Sequence, residues 1–250
     1  MKVVVVNLTN KRFYAGLVSI SLAILVVIST VIGVFINMYN KDIFIPTAND
    51  PVGRMVIIDA GHGGEDPGTV GVTGVLEKDL NLQIALEIGA AFENEGYVVV
   101  YTRTDDRLLY TEEENIHGIR KISDLKNRCK VAEKYPNAIF ISVHMNSFGK
   151  SKYSGLQVYY SEKNENSKAL ADSIQNKVIS DLQKNNNRTT KSGKDIYILE
   201  NISNNAVLIE CGFLSNSQEC EKLSQKEYQK ELSFSIVCAI IDYIEKSNQQ

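Results

Sequence analysis

Two of the chain's three histidines, His62 and His144, stand at the ends of short apolar runs, and two glutamates, Glu77 and Glu210, stand at comparable junctions. Imidazole nitrogen and carboxylate oxygen are both good zinc donors. Catalytic zinc commonly takes three protein ligands, two histidines and a glutamate among the usual sets, and keeps one position for water. His62, Glu77 and His144 supply such a set for one Zn2+ ion. Hydrolysis of an amide at that site also needs a group that takes a proton from water and returns it to the departing amine. Glu210 is the candidate, because it ends the apolar run Ala206 to Ile209, where an unpaired carboxylate is costly to bury. Gly61, Gly63 and Gly64 flank His62, as a tight turn that brings backbone close to an ion requires. Singly, each residue has a plainer reading: a strand-end histidine is often a hydrogen-bonded structural group, and Glu77 would suit any helix amino terminus. Their conjunction carries the inference. His117, in the loop between Asp105 and Ser123, is a weaker candidate for the substrate rim.

These side chains act together only if a fold brings them to one place. Met55–Asp59, Tyr97–Thr102, Ala138–His144 and Ala206–Glu210 are short runs rich in Val and Ile, the pattern of strands buried on both faces. Gly155–Tyr160 and Ile196–Leu199 are weaker strand candidates. Leu80, Ile84, Ile88 and Phe92 recur at helical spacing before Gly96, and Ser123 is expected to cap a second helix ending before Pro136. A third helical stretch runs from about Asn166 to Leu182, and a last one contains Tyr228, Leu232, Ile236, Ile240 and Tyr243. Strands alternating with helices predict an α/β domain with a mixed, largely parallel central sheet of about six strands flanked by helices. In open sheets of this kind sites form beyond the carboxyl ends of the strands, where His62, His144 and Glu210 fall. The polar stretch Asn185–Lys194 and the acidic run Glu112–Glu114 read as solvated loops.

At 250 residues, 44% hydrophobic and 23% charged, the chain has room for one self-sufficient domain and an appendage. Its 27 basic and 30 acidic residues are interspersed, with no basic stripe, which argues against nucleic acid as a partner. Cys129, Cys211, Cys220 and Cys238 form no C-x-x-C pair and are expected as free thiols, with a Cys211–Cys220 disulfide open if the domain is exported. Residues 13–38 read as a transmembrane helix, since Gly16 to Ile36 is long and apolar enough to span a bilayer. Lys2, Lys11 and Arg12 precede that stretch, so residues 1–12 are expected in the cytoplasm and the body outside it. No A-x-A site follows, which favours an anchor over a cleaved signal that would release the protein. Residues 39–54, with Pro46, Pro51 and Gly53, read as a linker, and 55–247 as the catalytic domain.

The segments VIIDAGHGGEDPGTVG (56–71), GVLEKDLNLQIA around Glu77, YTRTDD (101–106), FISVHMNS (140–147) and LIECGFLSN (208–216) together resemble the zinc-dependent N-acetylmuramoyl-L-alanine amidases, often called amidase type 3. The resemblance spans the whole expected domain in family order. It implies zinc on His62, Glu77 and His144, a catalytic Glu210, and cleavage between the lactyl group of N-acetylmuramic acid and L-alanine in peptidoglycan. The small size and single amino-terminal apolar segment look most like the spore-cortex, CwlD-like branch, in which peptide removal precedes muramic δ-lactam formation and germination. Such an enzyme is expected to face the cell envelope or the forespore intermembrane space, with an activating protein as an open partner. Asn205, where many relatives have Pro, and Met145, where a small residue is commoner, are minor departures from the family pattern, Met145 with room to alter the site wall. A zinc peptidase acting on the stem peptide uses the same chemistry and is the alternative; a phosphate-binding role for the glycine loop is weak without the GKS or GKT ending of a P-loop.

Overall fold

The structure is a computed structural model that describes residues 54–116 and 119–249, together with Ile20, Ile24, Leu25 and residues 28–30. Most of the expected membrane segment 13–38 and linker 39–54, as well as His117, lie outside the described residues. Among the described residues no helix is long and apolar enough to cross a membrane.

β1 (Met55–Ala60) is buried at every position and pairs in parallel with β2 (Val98–Tyr101) and β3 (Ile139–Asn146). β3 pairs in parallel with β6 (Ala206–Phe213), which runs antiparallel to β4 (Gln157–Tyr160); β4 carries the two-residue β5 (Lys191–Ser192) in parallel on its outer edge. The sheet therefore has six strands in the order β2-β1-β3-β6-β4-β5, mixed and largely parallel, as the sequence predicts.

Alternation of side chains divides the strands between two apolar layers. Val56, Ile58, Ile141, Val143, Val207 and Ile209 face one layer, built with α1 (Glu77–Asn94), α3 (Ser167–Asp181) and α6 (Lys226–Ser247). Leu80, Ile84, Ile88 and Phe92 form the buried stripe of α1, and losing Phe92 to alanine would cost about 3–5 kcal/mol. α1 ends in a turn where Gly96 takes φ +79°, a left-handed conformation glycine adopts without strain. Met55, Ile57, Phe140, Ala206 and Leu208 face the other layer, with α2 (Arg120–Lys134) and the short α4 (Tyr197–Asn201). On this second face the next residue towards each carboxyl end is polar: Asp59 after Ile57, Ser142 and His144 after Phe140, Glu210 after Leu208. The register sets Asp59 beside Ser142 and His144 beside Glu210, so one apolar-to-polar boundary runs across three neighbouring strands.

Two element predictions are corrected. Ile196–Leu199 is not a strand: α4 begins at Tyr197, with adjacent Ile198 and Leu199 both buried in the second layer, where the helix meets α2 and β6. A four-residue apolar run has too little length to distinguish the two periods. The sixth strand is instead β5, inside the stretch expected to be a solvated loop. Ser123 does not cap α2, which starts three residues earlier; Ser123 is buried within the first turn and its N–H bonds to Ile119 O. Glu112–Glu114 is a 3-10 turn, and α5 (Ser217–Leu223), capped by Asn216 accepting from Glu219 N–H, was not anticipated.

Candidate metal centre

His62 sits just past β1 with φ +61°, a left-handed backbone that few residues other than glycine adopt. Gly63 at φ +137° and Gly64 at +54° continue the turn. The conformation is held from below by two fully buried arginines. Arg103 donates to Ala60 O (2.8 Å) and Gly61 O (2.9 Å), and Arg128 donates to Ala60 O (2.7 Å) and His62 O (2.8 Å). Arg128 also pairs with Asp59 (2.6 Å) and Asp124 (2.8 Å), while Thr102 and Ser142 hydroxyls donate to Asp59. Burial alone would raise the Asp59 pKa, but the Arg128 charge and those hydroxyls outweigh it and keep the carboxyl below its ordinary range.

Glu77, the first residue of α1, projects between the two histidines. Its Oε1 lies 3.1 Å from His62 Nε2 and 3.0 Å from His144 Nδ1, and the three ligand atoms fall within 4.8 Å of one another. Ligands at the usual zinc bond lengths stand about 3.3 Å apart along a tetrahedral edge, so the spacing fits one zinc ion after slight spreading. Glycines make the space: a Cβ on Gly61 would lie 2.2 Å from His144 Nε2, and one on Gly68 2.6 Å from Glu77 Oε2. Glu77 Oε2 accepts from Thr69 N–H (2.8 Å) and Oε1 from Met145 N–H (3.2 Å), which fixes the carboxylate. Burial would raise the Glu77 pKa, but the hydrogen bonds and charges of His144 and His62 hold it far below the carboxylate range.

Asp66 accepts from His62 Nδ1 at 2.9 Å and also pairs with Lys121 (3.1 Å). A carboxylate on the far nitrogen of a liganding imidazole fixes its tautomer and its aim. Burial alone would lower the His62 pKa; the bonds to Asp66 and Glu77 outweigh it and raise the value to about 9.

Glu210 contrasts with these groups. It stands in register between His144 on β3 and Gln157 on β4, and its Oε2 is sealed from solvent with no hydrogen-bond partner. Burial pushes its pKa up to about 7, with His144 opposing and Glu77 reinforcing the rise. A carboxyl left without a hydrogen-bond partner beside a metal-ligand cluster is equipped to accept and return a proton.

The structure thus brings His62, Glu77 and His144 together, with Glu210 in register beside His144. Sequence reasoning did not single out Asp66, Arg103 or Arg128. Asp66 had a local signal, four residues beyond His62 in the same glycine loop; the arginines' grip on the turn had none, because the carbonyls they hold there lie more than 40 positions away. Met145 does not shape the site wall: it is 3% exposed and packs into the opposite layer, as the residue after His144 on a strand must. The four cysteines are free thiols, and Cys220 lies 3.1 Å from Thr73 Oγ1.

A family profile described as N-acetylmuramoyl-L-alanine amidase matches residues 56–242, and the chain belongs to that family. The germination-specific N-acetylmuramoyl-L-alanine amidase of Bacillus subtilis (strain 168) is 33% identical over 204 residues, covering 82% of this chain and 85% of that protein. Among solved structures, the CwlD amidase of Clostridioides difficile, in complex with the GerS lipoprotein, shares 39% identity at a TM-score of 0.74, covering 77% of this chain and 99% of that one. The amidase AmiC2 of Nostoc punctiforme shares 30% identity at a TM-score of 0.66, covering 76% and 97%.

Proposed function

We propose that the chain is a zinc-dependent N-acetylmuramoyl-L-alanine amidase that removes stem peptides from peptidoglycan, with one Zn2+ on His62, Glu77 and His144 and Glu210 as general base and acid. The observation that carries this reading is the meeting of three ligand atoms within 4.8 Å beside a carboxyl whose Oε2 is buried without a partner. A zinc ion bound there supplies Lewis acidity to the amide carbonyl and acidifies water. The chain's residues do the rest. Asp66 keeps His62 aimed, Thr69 and Met145 backbone N–H groups keep Glu77 aimed, and Glu210 takes a proton from water and delivers it to the L-alanine amine as the amide C–N bond breaks.

Likeness to the germination-specific and CwlD amidases supports a role in spore cortex maturation, where peptide-free muramic acid goes on to δ-lactam. The CwlD likeness likewise supports a lipoprotein as partner. The apolar stretch 13–38, preceded by Lys2, Lys11 and Arg12, supports a membrane-anchored enzyme with its catalytic domain outside the cytoplasm.

The decisive experiment is mass spectrometry of peptidoglycan digested by the zinc-loaded protein beside its Glu210→Ala variant. Released peptides beginning at L-alanine, absent with the variant, are the expected result. Shortened peptides still joined to muramic acid would assign the protein to stem-peptide hydrolysis instead.

A further inference from the structure

The basic groups on the β1 side of the metal-ligand cluster are already committed. Lys78 pairs with Asp106, Arg120 with Glu65, Lys121 with Asp66 and Arg128 with Asp59 and Asp124, while Arg103 is spent on backbone carbonyls. On the β4 side the situation differs. Arg188 pairs with no carboxylate among the described residues, yet it is held as firmly as a structural arginine.

Its guanidinium carbon stands 4.4 Å from the ring centroid of Phe213 and 5.8 Å from that of Tyr153. Nε donates to Ser154 O (2.8 Å) and Nη1 to Gln157 Oε1 (3.2 Å), and among the described residues nothing accepts from Nη2. The nearby Glu219 feels the Arg188 charge but forms no ion pair with it, its oxygens accepting from Gly155 N–H and Phe213 N–H.

The sheet places this arginine on the working face. Gln157, which braces it, is the register partner of Glu210. Phe213 belongs to the same face through an irregularity: four residues of β6, Glu210 to Phe213, lie against three of β3, His144 to Asn146. Such a bulge inverts the alternation, so Phe213 points with Glu210 while Leu214 packs into the opposite layer. Arg188 is therefore one side chain removed from Glu210, stacked and pre-oriented, with Glu219 as a charged neighbour and Nη2 unused among the described residues. A guanidinium fixed in this way loses little freedom on taking a carboxylate.

We propose that Arg188 binds a free carboxylate of the stem peptide on the β4 side of the reacting amide, and so makes the site selective for an anionic peptide. The inference rests on the amidase reading. The carboxyl that tests this is that of the second stem residue, a D-glutamate joined through its side chain, which some cell walls leave free and others amidate.

The test compares kcat/KM of the zinc-loaded protein on two disaccharide-peptides that differ only in whether that carboxyl is free or amidated. Wild type is expected to prefer the free acid by about 10- to 100-fold, the worth of a charged hydrogen bond. Arg188→Gln should abolish the preference, chiefly by raising KM for the free acid, with zinc content unchanged because Arg188 touches no ligand. Arg188→Lys, which keeps the charge without the fork, should retain part of the preference, and it serves as the readout if the glutamine variant does not fold. Equal losses on both substrates, or no preference in wild type, would overturn the assignment and leave the amidase standing. Release of peptide from neither substrate by wild type would overturn both.

Discussion

The loop after β1 and the far end of β6 carry the two halves of the site, and they are built on opposite plans. Around His62 nearly every polar group is satisfied: Asp66 on the imidazole, Arg128 on its carbonyl, Arg103 on the carbonyl before it, and Asp59 beneath both. At Glu210 a carboxylate oxygen is sealed in without a partner. The difference matches two tasks. Holding a metal requires ligands fixed in place, whereas moving a proton requires a carboxyl that the fold leaves free to bind one.

The sharpest way to break the comparison is to exchange which half is damaged. Glu77→Ala removes a first ligand and the bridge between the histidines, so zinc affinity should fall more than about 100-fold, beyond what loss of an outer-sphere partner costs. Activity should vanish at stoichiometric zinc; unchanged affinity in competition with a chelator would strike Glu77 from the ligand set. Glu210→Gln should do the reverse, lowering kcat by about 10²- to 10⁴-fold with zinc bound as tightly as in wild type. Metal loss from a folded Glu210→Gln protein would mean that the two halves are not separable. Asp66→Asn probes the satisfied half more gently: zinc affinity should drop about 10- to 100-fold, with kcat near wild type once zinc is in excess. A large fall in kcat under saturating zinc would instead give Asp66 a part in the chemistry.

The same contrast explains how far the sequence could be read. His62, His144 and Glu210 were legible because each is a chemically costly residue type at or just past the end of an apolar run, and strand ends in a parallel sheet gather at one edge; Glu77 was legible as a carboxylate opening the helix that packs on that sheet. What makes the metal half rigid was not legible. Arg103 and Arg128 hold the His62 turn through the main-chain carbonyls of Ala60, Gly61 and His62, which carry no residue identity and lie 42 to 68 positions away in the chain. The fold followed the same rule. Long periodic elements such as α1 and α6 were evident, but β5 has two residues and α4 five, too few to show a period. The bulge that turns Phe213 towards Glu210 is likewise a property of strand pairing, invisible in β6 alone.

Titration separates the two halves by a smaller effect, measured on protein stripped of metal by chelation. The folded-state pKa of His62 is raised to about 9, so its contribution to stability is complete below its ordinary value of 6.5 and is lost as pH rises through 9. Glu210 is also raised, to about 7, and its contribution is complete below 4.5 and lost as pH rises through 7. Both groups therefore make the stripped protein less stable towards alkaline pH, and wild type alone cannot tell them apart. Glu210→Gln removes one of the two titrations. At pH 5 the variant and wild type should unfold at similar denaturant concentrations, because Glu210 is protonated in the fold and nearly isosteric with glutamine. At pH 8 wild type must either keep a buried carboxylate charged or open to release its proton, and the variant should be the more stable by roughly 1–3 kcal/mol. The residual fall in the variant between pH 6.5 and 9 then belongs to His62, and over that range apparent zinc affinity should rise, because binding displaces the imidazole proton. A variant that gains nothing at pH 8 would mean that Glu210 finds a partner in solution, and the unsatisfied half of the comparison would fall.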